Sequence, residues 1–177
     1  MKLEVVQTDI TKLAVDAIVN AANHTLCGGG GVNGAIHGAA GDELLAECRT
    51  LNGCETGHAK ITAAYALPAS FVIHAVGPVW HGGNRGEVEN LASCYRECMN
   101  LATSHKLESI AFPAISCGVY CFPHEQACEI AVREVVKMLP DSTIQRVIFA
   151  CFEKKIEEAL NENLARWDSV VWCTNSG

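Results

Sequence analysis

Two asparagines and a run of glycines stand where this chain could do chemistry. The stretch from Val19 to Gly41 reads VNAANHTLCGGGGVNGAIHGAAG and holds seven of the fifteen glycines, namely Gly28, Gly29, Gly30, Gly31, Gly34, Gly38 and Gly41. The apolar run Ala17-Ile18-Val19 leads into it as a buried strand, with Asn20 and Asn23 at and just beyond the strand end. Val32, Ala35, Ile36, Ala39 and Ala40 recur at helical spacing, which predicts a helix from about Val32. Strand, glycine loop and helix start together suit an anion. Glycine allows close backbone approach and positive φ, and the unpaired N–H groups of a helix start favour phosphate. A floppy linker would not be bracketed by an apolar strand and an apolar-faced helix. Asn33 and His37 lie four residues apart and so share a helix face.

A second loop, Ser116-Cys117-Gly118-Val119-Tyr120, follows the short apolar run Ser109–Phe112 and precedes a helix opened by Pro123. Alone it reads either as an ordinary loop or as a second anion nest with Tyr120 over a sugar ring. Two phosphate loops facing each other suit a diphosphate. Other motifs carry less. Gly29-x-Gly31-x-x-Gly34 matches the dinucleotide fingerprint formally, but its glycines lie too far past the strand and no acidic residue ends a following strand about twenty residues on. No Gly-Lys-Ser/Thr follows the glycines, which excludes a Walker A loop. Cys117-x3-Cys121-x2-His124-x3-Cys128 lacks the paired ligands of a zinc ribbon or finger, so no metal is expected there. Nothing in the sequence places a cysteine–histidine pair for nucleophilic catalysis.

The elements that must position these residues alternate along the chain. Leu3–Val6, Ala17–Val19, Lys60–Ala64, Phe71–Val76, Ser109–Phe112 and Gln145–Phe152 read as strands. Asp9 or Thr11 caps a short turn, and Asp42 caps a helix through Cys48. Val88, Leu91, Ala92, Tyr95, Cys98, Met99 and Ala102 mark a long amphipathic helix. Ile156, Ala159, Leu160, Leu164 and Trp167 mark the last helix, and Val170-Val171-Trp172 an added edge strand over 169–173. The alternation predicts a single domain over 1–177, an α/β fold of three α/β/α layers around a largely parallel sheet. Ligands bind such sheets at the carboxyl ends of the strands. The loops after Val19, Phe112 and Phe152 meet there, and so does Asp9.

Composition narrows the function classes. With 177 residues, 49% hydrophobic and 19% charged, the chain buries a true core and disorder is excluded. A net charge of −7 argues against general nucleic-acid binding and against acidic membranes. Backbone N–H groups must therefore hold any anion. MKLEVVQTDI reads as a strand rather than a leader, and no apolar run is long enough to span a membrane. A cytoplasmic setting with reduced thiols is expected for the ten cysteines. Cys94, Cys98, Cys128 and Cys151 fall on apolar faces as small hydrophobes.

The ordered set TDIT (8–11), VNAAN (19–23), GGGGVNGAIH (28–37), IHAVGPVW (73–80) and FPAISCGVY (112–120) resembles the macrodomains. Within them it is similar to the MacroD-type branch, which includes bacterial O-acetyl-ADP-ribose deacetylases. The resemblance implies a mixed six-stranded sheet between helices, with ADP-ribose in a cleft at its crest. It implies that Asp9 bonds the adenine amine with Ile10 beside it, and that Phe152 lies near the adenine. It implies that Gly29, Gly30, Gly31 and Val32 wrap the diphosphate together with Ser116, Cys117, Gly118, Val119 and Tyr120. Tyr120 then packs on the distal ribose and Asn23 bonds its hydroxyls, with Asn20 taken as a further ligand-facing residue.

One position departs from that pattern. Where the branch carries an aspartate that activates or places water, this chain carries Asn33. Asparagine orients water but takes no proton near neutral pH, and loss of a general base costs about 10²–10⁴-fold in rate. The resulting expectation is a hydrolase of ester-linked ADP-ribose. Its substrates are O-acetyl-ADP-ribose and proteins mono-ADP-ribosylated on Asp or Glu. Asn23 positions the ribose, Asn33 places water, His37 supports Asn33, and no metal or redox cofactor takes part. The alternative is a reader that binds ADP-ribose without turning it over; a dinucleotide-dependent oxidoreductase is a distant third.

Overall fold

The structure, a computed structural model, describes the backbone of residues 1–174 and the side chains of 1–167. Six strands form one sheet: β1 (Lys2–Gln7), β2 (Ala17–Ala22), β3 (Ala59–Ala63), β4 (Phe71–Val76), β5 (Ser109–Phe112) and β6 (Arg146–Cys151). Their order is β1-β6-β5-β2-β4-β3. All neighbours run parallel except β3, which pairs antiparallel with β4 at one edge. The sheet is thus mixed and largely parallel, as expected. Five helices cover it: α1 (Gly31–Ala40), α2 (Asp42–Thr50), α3 (Glu87–Ser104), α4 (His124–Met138) and α5 (Lys154–Thr174).

Period-two alternation sorts the strand residues between two apolar layers. Ala17, Val19, Ile110, Phe112, Val147 and Phe149 face the layer filled by α3, α4 and α5. Ile18, Val72, Ala111, Ile148 and Ala150 face the layer filled by α1 and α2. The strands are buried on both faces, and this is why they read as short continuous apolar runs. Gly41, at a φ of 88°, ends α1 and opens α2 in a single residue. The cap of α2 is therefore Gly41, and Asp42 is the first helical residue. Pro123 likewise sits one place before α4 as its cap.

Two boundaries differ from the sequence reading. β2 runs on to Ala22, so Asn20 lies inside the strand, in register with His74 of β4. The edge strand expected over 169–173 is replaced by the continuing backbone of α5, although the side chains of that segment lie outside the described residues. Leu160, Leu164, Trp167, Val171 and Thr174 keep the 3.6-residue period, so the sequence there reads as helix as readily as strand. Among the described residues no helix is long and apolar enough to cross a membrane.

Candidate functional site

The parallel strands deliver their carboxyl ends to one crest, and a cleft of about 640 Å³ opens there. Thr8, Asp9 and Ile10 line it after β1; Ala21, Ala22 and Asn23 at the end of β2; Gly77 after β4. The glycine loop and start of α1 supply Gly29 to Asn33, the loop after β5 supplies Pro113 to Tyr120, and the end of β6 supplies Ala150 to Glu153. Most of the residues expected at the site are brought together. Asn20 and His37 are not among the lining residues.

The glycine loop is shaped by contact with its own helix. A side chain at Gly34 would place a Cβ 2.5 Å from the carbonyl oxygen of Gly29, so only glycine lets the loop lie against the first turn of α1. The helix has no side-chain cap, and its first bond runs from the Gly34 N–H to the Gly30 carbonyl at 3.1 Å. The N–H groups of Gly31, Val32 and Asn33 find no acceptor among the described residues. They are the free donors that a helix start offers to an anion.

Two amide side chains stand beside this loop. Asn23 Nδ2 donates to the Gly28 carbonyl at 2.9 Å, and the Thr25 hydroxyl donates to Asn23 Oδ1 at 2.7 Å. Asn33 is buried, with Oδ1 accepting from Asn20 Nδ2 at 2.9 Å. Its Nδ2 is left turned to Gly29, 3.1 Å from where a Cβ would stand, with Asn23 Nδ2 at 3.5 Å from the same point. Asn33 therefore offers the cleft a donor, not an acceptor.

Asn20 is a buried support for Asn33. Its Nδ2 also contacts His74 Nδ1 at 3.1 Å, and His74 Nε2 lies 2.9 Å from Thr62 Oγ1. Burial drives His74 down to about 3, so its ring is neutral. Asn20 shares its strand face with Ala22 but lies deeper, buried against Asn33 and His74 rather than among the residues that line the cleft. The His37 ring lies with Cys48 and His74, and the side chain that bonds Asn33 is Asn20.

The second loop is held by longer-range contacts. Ser116 takes a φ of 65°, the Phe122 N–H donates to its carbonyl, and the Trp80 N–H donates to the carbonyl of Tyr120 at 2.8 Å. His124 Nε2 bonds the Cys117 carbonyl at 2.9 Å. A Cβ on Gly77 would lie 2.3 Å from Ser116 Oγ, so a glycine at the end of β4 is what admits this loop. The amides of Gly118, Val119 and Tyr120 have no acceptor among the described residues. Two free-donor nests thus line one cleft. Burial lifts the Cys117 thiol to about 12 and also raises Cys151, so neither thiol at the cleft is a nucleophile near neutral pH. At the rim, Asp9 accepts from the Thr11 hydroxyl at 2.7 Å and its N–H at 3.0 Å; these bonds hold its carboxyl below the usual range. Val119 and Phe152 expose apolar surface at the rim, 92% and 61% respectively.

The macro domain family model matches residues 19–131. This chain belongs to the macro domain family. A macro domain-containing protein of Chlorobaculum tepidum is 57% identical over 164 residues, covering 92% of this chain and 95% of the relative. A Klebsiella pneumoniae protein named O-acetyl-ADP-ribose deacetylase is 52% identical over 169 residues, covering 93% and 97%. The Oceanobacillus iheyensis macrodomain solved with ADP superposes at a TM-score of 0.90 with 40% identity, covering 94% of this chain and 92% of that one. The Trypanosoma brucei macrodomain in complex with ADP-ribose superposes at 0.86 with 41% identity, covering 92% and 68%. The macrodomain site holds several residues the sequence reading passed over. Gly77 and His74 lie within the motif IHAVGPVW, but neither their contacts nor those of Thr62 are local to it. A histidine in the middle of an apolar strand was the available signal for His74.

Proposed function

We propose that the cleft binds ADP-ribose and that the protein hydrolyses ADP-ribose esters, O-acetyl-ADP-ribose and proteins mono-ADP-ribosylated on Asp or Glu, in the cytoplasm. The observation that carries this reading is the convergence of Asn23 Nδ2 and Asn33 Nδ2 beside Gly29, between the two backbone nests. The nests hold the diphosphate through N–H donors, which an acidic chain can do without a basic patch. The adenine lies at the other end, with its amine on Asp9 and its face by Ile10 and Phe152. Tyr120 and Asn23 bracket the distal ribose. Water attacks the ester carbonyl, the acyl–oxygen bond breaks, and the products are ADP-ribose and a carboxylic acid. Asn33 donates to that water and so places it. The water's proton passes by way of a phosphate oxygen of the substrate to the departing ribose oxygen, and the gain comes from orientation. No metal or redox group enters this scheme.

A second reading, an ADP-ribose reader, is favoured by one specific feature: the inward turn of Asn33 Oδ1 to Asn20 leaves the protein no side-chain acceptor at that position for the water's proton. A time course separates the two. Stoichiometric protein is mixed with a target mono-ADP-ribosylated on a carboxylate, and released and retained ADP-ribose are followed together. Release well above the buffer rate supports the hydrolase. Retention without release supports the reader. Neither release nor retention removes ADP-ribose from this cleft.

A further inference from the structure

Two of the buried polar side-chain atoms without a hydrogen-bond partner lie behind the cleft: Asn20 Oδ1 and His37 Nε2. They border a group drawn from three elements. A ring nitrogen of His37 on α1, Cys48 Sγ on α2 and a ring nitrogen of His74 on β4 all lie within 4.8 Å of one another. Among the described residues this is the one group of three or more His, Cys, Asp or Glu side chains with that convergence. The function proposed above makes no use of it.

We propose that His37, Cys48 and His74 form a buried binding site for a thiophilic divalent cation of the zinc class, with Asn20 as the residue that orients His74. Two imidazoles and a thiolate suit such a cation. Cys48 Sγ and His74 Nε2 stand 3.7 Å apart. A tetrahedral site with ordinary zinc bond lengths needs about 3.6 Å on that edge. His37 Nε2 has no partner to give up. The Thr62 hydroxyl lies 2.9 Å from His74 Nε2 and yields that contact when the nitrogen ligates.

Proton bookkeeping explains the second orphaned atom. A cation on His74 Nε2 moves the ring proton to Nδ1. Rotation of the Asn20 amide then brings Oδ1, now unpartnered, onto that Nδ1–H, the usual second contact of a ligating histidine; the bond from Asn20 Nδ2 to Asn33 Oδ1 is lost in the turn, and the Asn33 amide must turn with it so that its Nδ2 donates to Asn20 Oδ1. The Cys48 thiol loses its proton to solvent when sulfur binds the cation. No oxidant or reductant takes part.

The test uses reduced, chelator-stripped protein titrated with Co²⁺. The expected result is one equivalent bound, with a near-ultraviolet thiolate-to-cobalt charge-transfer band that Zn²⁺ displaces, and a higher Tm with Zn²⁺ present. The band should persist in Cys27→Ser/Cys121→Ser, which removes the two thiols that are exposed among the described residues. It should vanish in Cys48→Ser, and His37→Gln should bind more weakly. Asn20→Ala should weaken binding by about 10–100-fold, as loss of an orienting contact does. Wild-type protein that takes up no Co²⁺ overturns the proposal, whatever the variants do. So does a band that survives Cys48→Ser, or one that disappears with the exposed thiols. If Cys48→Ser does not fold, the wild-type and Cys27→Ser/Cys121→Ser titrations decide.

Discussion

In the glycine loop, Gly28 and Gly31 take φ of 93° and 58° with no side chain to strain, and Gly34 admits the loop from five residues away. In the loop after β5, Ser116 takes a φ of 65° with its Cβ in place, and the glycine that admits it, Gly77, comes from another strand. Both present free N–H groups to one cleft, by different routes. The first nest is encoded locally by backbone freedom. The second is imposed by contacts with Trp80, Phe122 and Gly77, which over-determine a conformation serine resists. The two also differ in what they bring to a reaction. The glycine-loop side carries the amides of Asn23 and Asn33; the second loop brings backbone donors and Tyr120.

The largest expected effect sharpens that division of labour. Asn33→Asp keeps an oxygen for Asn20 Nδ2 and turns a second oxygen towards Gly29, where Nδ2 now stands. Turnover of a carboxylate-linked ADP-ribosyl target should rise by about 10²–10⁴-fold. Single-turnover rates read this directly. If turnover does not rise, the weakened-hydrolase version fails and the reader remains. Substitutions in 116–120 should change KM and leave kcat near the wild-type value; a kcat effect of the same size there would end the division.

Close approach is tested by one methyl group on each side. Gly34→Ala sets a Cβ against the Gly29 carbonyl, and Gly77→Ala sets one against Ser116 Oγ and Ile115 Cγ2. Each should cost about 3 kcal/mol in urea denaturation, in the range for forced overpacking, and both should weaken ADP-ribose binding. If one is tolerated, that loop has slack and the comparison breaks on that side. Gly118→Glu is the counterpart. A Cβ there meets nothing within 4 Å, so the fold should keep its Tm. The affinity for ADP-ribose should nonetheless fall by about 100-fold, near 2.7 kcal/mol, because a carboxylate enters the nest. Retained affinity would remove the diphosphate from this loop.

How far the site could be read in advance follows the same contrast. The six strands and the crest were legible because parallel strands buried on both faces are short apolar runs. The glycine loop was legible because its cause, glycine, is in the loop. The second loop stayed ambiguous because Gly77 is 39 positions from Ser116 and only the sheet brings them together. Asn20 was grouped with Asn23 at the strand end, and sequence spacing does not show how deep it lies. Here a buried cross-strand partner, His74, keeps it in the strand. His37 was tied to Asn33 by helical spacing alone, and spacing does not reveal that Cys48 and His74 lie on the same side.

Acid should distinguish the loops as well. Glu87 is buried at the start of α3 and accepts from the N–H groups of His81, Gly83 and Arg85. Burial pushes its carboxyl up, but those donors prevail and hold it at about 2, below its ordinary 4.5. A depressed folded-state pKa contributes stability that is complete above about 4.5 and is lost as pH falls from there through 2. The segment it braces includes the approach to the Trp80–Tyr120 bond. Amide exchange in 80–86 and 116–122 should therefore rise in that window before exchange in 28–34 does. Glu87→Gln should already show the faster exchange at neutral pH. Equal acid response in both loops would mean that Glu87 supports neither selectively.

The smallest expected effect belongs to Ser116. Its hydroxyl is buried without a partner and packs against Gly77. Removing an unsatisfied buried group is neutral or mildly stabilising, so Ser116→Ala should change unfolding free energy by under about 1 kcal/mol. Affinity for ADP-ribose should hold, because the nest works through N–H groups and not through this oxygen. A tenfold loss of affinity would instead mean that the hydroxyl turns to the ligand and that the second loop recognises its anion partly by side chain. The pair is more informative than either member. Ser116→Ala removes the nearer of the two atoms that a Cβ on Gly77 would strike, leaving Ile115 Cγ2 at 2.7 Å. The double variant Gly77→Ala/Ser116→Ala should recover part of the loss seen in Gly77→Ala alone, an interaction energy that a double-mutant cycle measures. Strict additivity would show that the loop is admitted by the Ile115 contact and that the serine oxygen merely occupies the space beside it.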